Sequence, residues 1–557
     1  MPAARAYYQM MHGFTVGVSC FDWADRHARG RPDEVAVANA DSPFRLTWAQ
    51  LEARVARLAR LLAGFGRVRH GDRIALLAEN DARYFEVQFA CVRLGAVFVP
   101  LNVRLSPAEL RATLDDADPV LLIHDSGLAG LAASVAGHGG SAASVAGDGG
   151  DGGGAGPGGR PLPLLRWDDD PVGTPYAQVG DAASGTVRAG RAAPDDVAQI
   201  LYTSGTTGKP KGVMTTNRAL AANAVNMAHS SRVADRDAHA LNFVPLYHAG
   251  GLNIYCNPVL YWGGRVTTTR GFDEAQALRL LTDGALGVTI TNGVLQMFDR
   301  IAALDEFAAA RFPSLRVALF GGFGPTAPQT YRRWFGRGFA LQLGYGSTEL
   351  GPMASMNEAP EADAIARGEF GRAVPLTEVR CLGADGAPLP PGQTGEIQVR
   401  GPAVTAGYWR NGKDGRTDDG WFSIGDVGFL DEAGFVHVTG RIVERYRSGG
   451  ENIYPAEVEA AFLDLPGIVE LAVVGVPDAT WGEVGLLVVV TEPGAEITLD
   501  TVRRHADGRL SRFKIPRHLH VVDRLPRSTT EKVARGQLRA LFTDTAPPDT
   551  APPDGEP

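Results

Sequence analysis

The stretch "LYTSGTTGKPKGV", residues 201–213, packs three glycines, three threonines, one serine and two lysines into thirteen positions. Backbone N–H groups freed by glycine, short hydroxyls and a cation are what phosphate oxygens require. Lysine is a rare choice in this chain, five among 54 basic residues, so two in one loop weigh against an ordinary surface turn. The nucleotide-binding pattern G-x-x-x-x-G-K-[ST] is not met, because Pro210 follows Gly208-Lys209 and leaves no hydroxyl there for magnesium.

Such a loop needs a strand to present it, and the apolar run "VAQILY" stands directly before it. Strand-like and helix-like stretches alternate around it. "RIALLAEN" and "AVFVPLN" read as buried strands flanking "DARYFEVQFACVRLG", which has helical spacing. "LNFVPL", "VTITNG" and "RVALFGG" continue the strand pattern, with helical stretches such as "EAQALRLLTDGA" between them. This predicts an α/β fold with parallel sheets. Residues 378–438 turn strand- and turn-rich, and after Gly440 a small α/β unit begins again.

The expected organisation is therefore a large N-terminal domain of layered α/β sheets plus a β subdomain over 1–439, then a small C-terminal α+β domain over 446–542. Residues 125–160, with "AASVAG" twice among glycines, read as an unstructured loop. The tail 543–557, "TDTAPPDTAPPDGEP", reads likewise.

Composition excludes several classes. A net charge of −9 offers no basic field for nucleic acid. No apolar run is long enough to span a bilayer, and the start lacks a signal-peptide centre, so the cytoplasm is the expected location. Four cysteines, Cys20, Cys91, Cys256 and Cys381, are too scattered for structural zinc or a disulfide framework. No G-x-S-x-G elbow, H-E-x-x-H or early G-x-G-x-x-G occurs.

Five stretches in order resemble the adenylate-forming superfamily of acyl- and aryl-CoA synthetases, luciferases and peptide-synthetase adenylation domains. These are "YTSGTTGKPKGV", "GYGSTE" (344–349), "GWFSIGD" (420–426), "GRIVERYRSGGENIYPAEVE" (440–459) and "LPRSTTEKVAR" (525–535). The resemblance covers residues 18–542. It implies ATP, Mg²⁺ and coenzyme A as ligands, and assigns roles by matching position. Thr203, Ser204, Gly205, Thr206, Thr207 and Lys211 handle the β- and γ-phosphates. Tyr345, beside Gly346, stacks on adenine. Thr348 bonds the α-phosphate and Glu349 holds Mg²⁺. Asp426 accepts the ribose hydroxyls, and Arg441 adds a ribose or phosphate contact. Lys532 reaches the α-phosphate and acyl oxygen from the mobile small domain, which swings on a hinge at 440–445.

The implied reaction joins a small-molecule acid to ATP as acyl-AMP with release of pyrophosphate, then transfers the acyl group to coenzyme A. Arg445, Arg447 and Lys514 are candidates to meet coenzyme A phosphates. No carrier domain follows residue 542, which implies a stand-alone enzyme, monomer or homodimer. Pocket candidates are His248, Asn253, Asn292, Phe320, Phe323 and Leu343, a compact and partly aromatic set that favours a small or aryl acid. The chain departs from the family pattern at Glu444, where relatives carry Asp or Lys at the hinge, at Val443, at Glu531 before the lysine, and at Phe323 in "GGFGP". Two alternatives stay open: an ATP-dependent diazotase that adenylates nitrite for attack by an aryl amine, and a nucleotide-binding scaffold without activity.

Overall fold

The computed structural model describes residues 21–65, 68–137, 162–167, 192–204, 210–321, 327–361, 368–410, 416–448, 451–478, 480–507, 509–527 and 533–545. Three sheets organise them. The largest has thirteen strands. Its centre is parallel, with Ala340–Gly346, Val317–Gly321, Ile290–Val294, His239–Asn242, Arg265–Thr268 and Val35–Asn39 side by side. From Ala340–Gly346 outward it turns antiparallel, through Met353–Asn357, Glu369–Ala373, Phe435–Arg441 and Asp426–Leu430 to Gly395–Arg400. The short-turned segment after 378 pairs this way because hairpins suffice there, whereas parallel neighbours need helical crossovers.

The second sheet has six strands, parallel until its last pair, the hairpin Val197–Ser204 and Pro210–Thr216. The helix Tyr84–Leu94 is buried at every residue, which explains its apolar residues on all sides. The third sheet holds Tyr446–Ser448, Gly482–Thr491 and Ile468–Asp478, with His518–Val521 added in parallel. The turn Ile442–Glu444 joins the strand Phe435–Arg441 of the large sheet to Tyr446–Ser448 of the small one.

Three expectations need correction. The unstructured reading of 125–160 fails at its start, where Ala129–Val135 is a helix. Ala132, Val135 and Ala136 bury against Leu122 and Leu162, a helical spacing that the surrounding Ala and Gly obscure; residues 138–160 lie outside the described set. Similarly, the last helix, Arg535–Thr545, runs past residue 542 into the segment read as tail. The expected strand "LNFVPL" also stops early, at Asn242. Pro245 has no N–H for a ladder, and side chains take over its neighbours: Asn80 donates to Val244 O at 3.0 Å and accepts from Leu246 N at 2.8 Å.

Candidate active site

The phosphate-type loop is the tip of a hairpin. Thr203 stands opposite Lys211 and Ser204 opposite Pro210. The tip itself, Gly205, Thr206 and Thr207 with the Ser204 side chain, lies outside the described residues. Gly212 is required by packing: a Cβ there would sit 2.7 Å from Ile200 Cγ2 and 3.0 Å from the Tyr202 ring. The hairpin is braced from below, since Tyr202 donates to Asp116 Oδ2 at 2.6 Å and Trp409 Nε1 to Asp116 O at 3.0 Å. Burial, and then the Asp116 carboxylate, hold the Tyr202 phenol far above its ordinary range.

Tyr345, Asp426 and Arg441 meet directly. Asp426 and Arg441 are register partners on antiparallel strands, so their side chains share one face. Arg441 Nε lies 2.9 Å from Asp426 Oδ1, and Tyr345 donates its hydroxyl to Oδ2 at 2.8 Å. Arg441 is half exposed, and such a pair orients more than it stabilises. Burial, reinforced by Asp426, keeps the Tyr345 phenol protonated well above its usual range. Its strand ends at Gly346, where a Cβ would fall 1.9 Å from Pro352 O; only glycine allows this close turn into Thr348–Leu350.

Glu349 sits in that turn. Tyr408 donates to its Oε1 at 3.0 Å, and Thr405 N donates to its main-chain oxygen at 2.9 Å. Lys211 Nζ lies 5.1 Å from the centre of the same Tyr408 ring, within cation–π range. Tyr408 was not a candidate from sequence; its only signal was an aromatic pair in "GYWRNG". No group of three or more His, Cys, Asp or Glu side chains forms a metal cage among the described residues. One carboxylate oxygen beside a phosphate-type loop is instead the donor set that suits Mg²⁺, which keeps waters and shares substrate phosphates.

The acid-pocket candidates divide between two faces of the large sheet. His248 starts the helical segment Ala249–Gly251. Asn292 Nδ2 donates to Gly250 O at 2.9 Å, which ties its strand to that turn. The helix then widens into a π-turn at Leu252–Cys256, a feature that recurs at functional sites. Pro258 cannot supply the N–H that the Asn253 carbonyl would accept in such a turn. Asn223 Nδ2 supplies it, at 2.6 Å, while Asn257 Nδ2 bonds Asn253 Oδ1 at 2.8 Å. His248 and Asn292 are therefore joined through the Gly250 turn, whereas the Asn253 side chain is engaged by Asn257.

Phe320 and Leu343 do not join them. Adjacent in register, they belong to the opposite core, where Phe320 stacks on Phe298 with ring centres 4.0 Å apart and packs edge-on to Tyr331. Both strands are buried on both faces, so side-chain alternation, not polarity, decides: Leu319 faces the other core cluster, with Gly321 and Gly344 on that same side. Phe323 lies outside the described residues.

In the small unit, Lys514 forms an ion pair with Glu457. Arg445 and Arg447 are exposed near the joining turn. Glu444 faces Arg535 at 3.4 Å, and Lys532 lies outside the described residues.

The Thr203–Lys211 hairpin of the second sheet thus lies beside Glu349 through Tyr408, and Glu349 follows the strand whose Tyr345 meets Asp426 and Arg441. The chain belongs to the AMP-binding enzyme family, whose model matches residues 24–409, with the AMP-binding enzyme C-terminal domain matching 457–532. It is 38% identical over 525 residues to a feruloyl-CoA synthase of an Amycolatopsis species, covering 93% of this chain and 98% of that protein. It is 35% identical over 529 residues to an indoleacetate–CoA ligase of Aromatoleum aromaticum, covering 93% and 97%. Among solved structures, ATP-bound MatB from Rhodopseudomonas palustris matches with a TM-score of 0.79 and 30% identity, covering 94% and 99%.

Proposed function

We propose that this chain activates an aryl carboxylic acid with ATP and transfers it to coenzyme A. The observation that carries the reading is the Tyr345–Asp426–Arg441 cluster beside the Thr203–Lys211 hairpin. The acid class is supported by relatives named for ferulate, indoleacetate and, at 34% identity, 2-succinylbenzoate. The diazotase alternative is not favoured by relatives named as CoA ligases, and a scaffold does not account for the retained site.

In the first step an acid oxygen attacks the α-phosphorus of ATP, the bond to the pyrophosphate oxygen breaks, and acyl-AMP forms. In the second, the coenzyme A sulfur attacks the acyl carbon, its proton passes to solvent, and AMP leaves. Asp426 fixes the ribose, with Tyr345 and Arg441 orienting its carboxylate. The hairpin residues Thr203 to Thr207 with Lys211 cradle the phosphates, and Thr348 bonds the α-phosphate. Glu349 would hold Mg²⁺, which would supply positive charge against the phosphates. Lys532 counters the charge that builds between the α-phosphate and the acyl oxygen. His248, Asn253 and Asn292 border the acid. The domain boundary lies near residue 440, with the hinge over 440–445. No helix among the described residues is long and apolar enough to cross a membrane, in keeping with work in the cytoplasm.

The test is release of AMP and pyrophosphate from ATP and Mg²⁺ with a panel of aryl, small aliphatic and medium-chain acids, and nitrite, each with and without coenzyme A. Aryl acids are expected to give coenzyme A-dependent AMP release and a thioester mass. Turnover of nitrite with an aryl amine, indifferent to coenzyme A, would sink the proposal.

A further inference from the structure

Tyr408 stands outside every role assigned above, yet it touches two of the residues that hold them. It is buried, with 9% of its surface exposed. Its hydroxyl donates to Glu349 Oε1 at 3.0 Å, and its ring carries Lys211 Nζ 5.1 Å from its centre. Its main chain is fixed to the same parts. Tyr408 bridges Val213, Trp409 N donates to Gly212 O at 2.7 Å, and Thr405 Oγ1 donates to Met214 O at 2.7 Å. Thr405 N also holds the Glu349 carbonyl. The segment Thr405–Trp409 thus clamps the returning strand of the hairpin and the turn that carries Glu349.

We propose that Tyr408 is a positioning residue for Mg²⁺–ATP. Its hydroxyl aims the Glu349 carboxylate, and its ring engages the Lys211 ammonium so that lysine and carboxylate do not close on each other. A lysine and a glutamate in one site attract, and a pair between them would withdraw the cation from phosphate and the carboxylate from metal. Among the described residues no ion pair joins Lys211 to Glu349; the aromatic face takes the cation and the hydroxyl takes the carboxylate. This inference rests on the nucleotide roles proposed for Lys211 and Glu349.

The test is ATP binding by calorimetry, once in Mg²⁺ and once in EDTA, with wild type, Tyr408→Phe and Tyr408→Leu. Phe keeps the ring and loses the aim. It is expected to lose about tenfold in affinity in Mg²⁺, the worth of a hydrogen bond to a charged group, and to match wild type in EDTA. Leu frees Lys211 to pair with Glu349, so its affinity is expected to fall in EDTA as well. Any loss of thermal stability in Phe, measured without ATP, is expected to be the same in Mg²⁺ and in EDTA, which separates aim from general damage. A Phe variant equal to wild type in both media, or weakened equally in both, overturns the proposal. Aryl-acid turnover by the wild type is read separately: its absence breaks the ligase reading while the binding comparison still decides the role of Tyr408.

Discussion

The Glu444 carboxylate lies 3.4 Å from Arg535 Nε, so the turn leaving the large sheet is tied to the helix that ends the small unit. Arg535 is already committed elsewhere. Both its terminal nitrogens bond the Glu459 carboxylate, and one of them also bonds Val473 O at 2.8 Å. Glu444 therefore approaches a cation largely neutralised by Glu459, and its hold is the weaker of the two.

That ranking is measurable by urea unfolding. Glu444→Gln is expected to cost under about 1 kcal/mol, as for partly exposed pairs. Arg535→Met strands the buried Glu459 carboxylate and is expected to cost about 3 kcal/mol or more. In single-turnover assays Glu444→Gln is expected to change the ratio of acyl-AMP formation to thioester formation by about fivefold at most. Equal stability losses for the two variants would contradict the ranking.

Phe320 and Asn292 lie on opposite faces, and their substitutions are expected to separate. Phe320→Ala removes a fully packed ring and is expected to cost about 3–5 kcal/mol, with no change in the order of acids accepted. Asn292→Ala frees the Gly250 turn beside His248 and is expected to raise KM for the acid with little effect on KM for ATP. An altered acid order in Phe320→Leu, a milder cavity, would place that ring in the pocket after all.

Gly346→Ala drives a methyl group against the Pro352 carbonyl. Main chain cannot yield as a side-chain tip does, so a loss of about 2 kcal/mol or more is expected. ATP affinity is expected to fall with it, because Tyr345 and Glu349 flank the same turn. Unchanged binding of ATP by calorimetry would refute this.

His27 and His239 are held neutral, each with its pKa lowered to about 4, first by burial and then by neighbouring Arg26 and Arg265 respectively. The unfolded chain binds these protons near pH 6.5 while the folded chain refuses them until about pH 4. Stability from this source is present above pH 6.5 and falls as pH drops from 6.5 toward 4. Urea midpoints at pH 7 and pH 5 are expected to show the decline, and His239→Gln to lessen it. A flat profile would mean these rings accept protons freely.

Much of this was legible in the sequence because its signals are local. The Gly- and Thr-rich loop names its own chemistry, and "VALFG" or "LLVVVT" names a buried strand. What escaped was set by partners far along the chain. Nothing in "VALFGG" says that Phe320 faces Phe298, since a strand apolar on both faces gives no alternation to read. Tyr408 lies 59 residues from Glu349 and gains its meaning only when the hairpin, the turn and its own loop meet. The helix at Ala129–Val135 was hidden by composition: alanine is the best helix former, yet beside glycine it reads as low complexity.

The strand Phe435–Arg441 ends with the residue that grips Asp426, and three positions later Glu444 reaches Arg535. The residue that orients Asp426 and the proposed hinge thus share one short stretch of main chain. Thermodynamic reciprocity applies to such a linkage: whatever factor a given posture of the small unit adds to ribose affinity, the bound nucleotide adds to the population of that posture. A saturating nucleotide would then act as a counterweight on the joint, and how far it tips the small unit measures, in the same ratio, how strongly that unit grips the nucleotide.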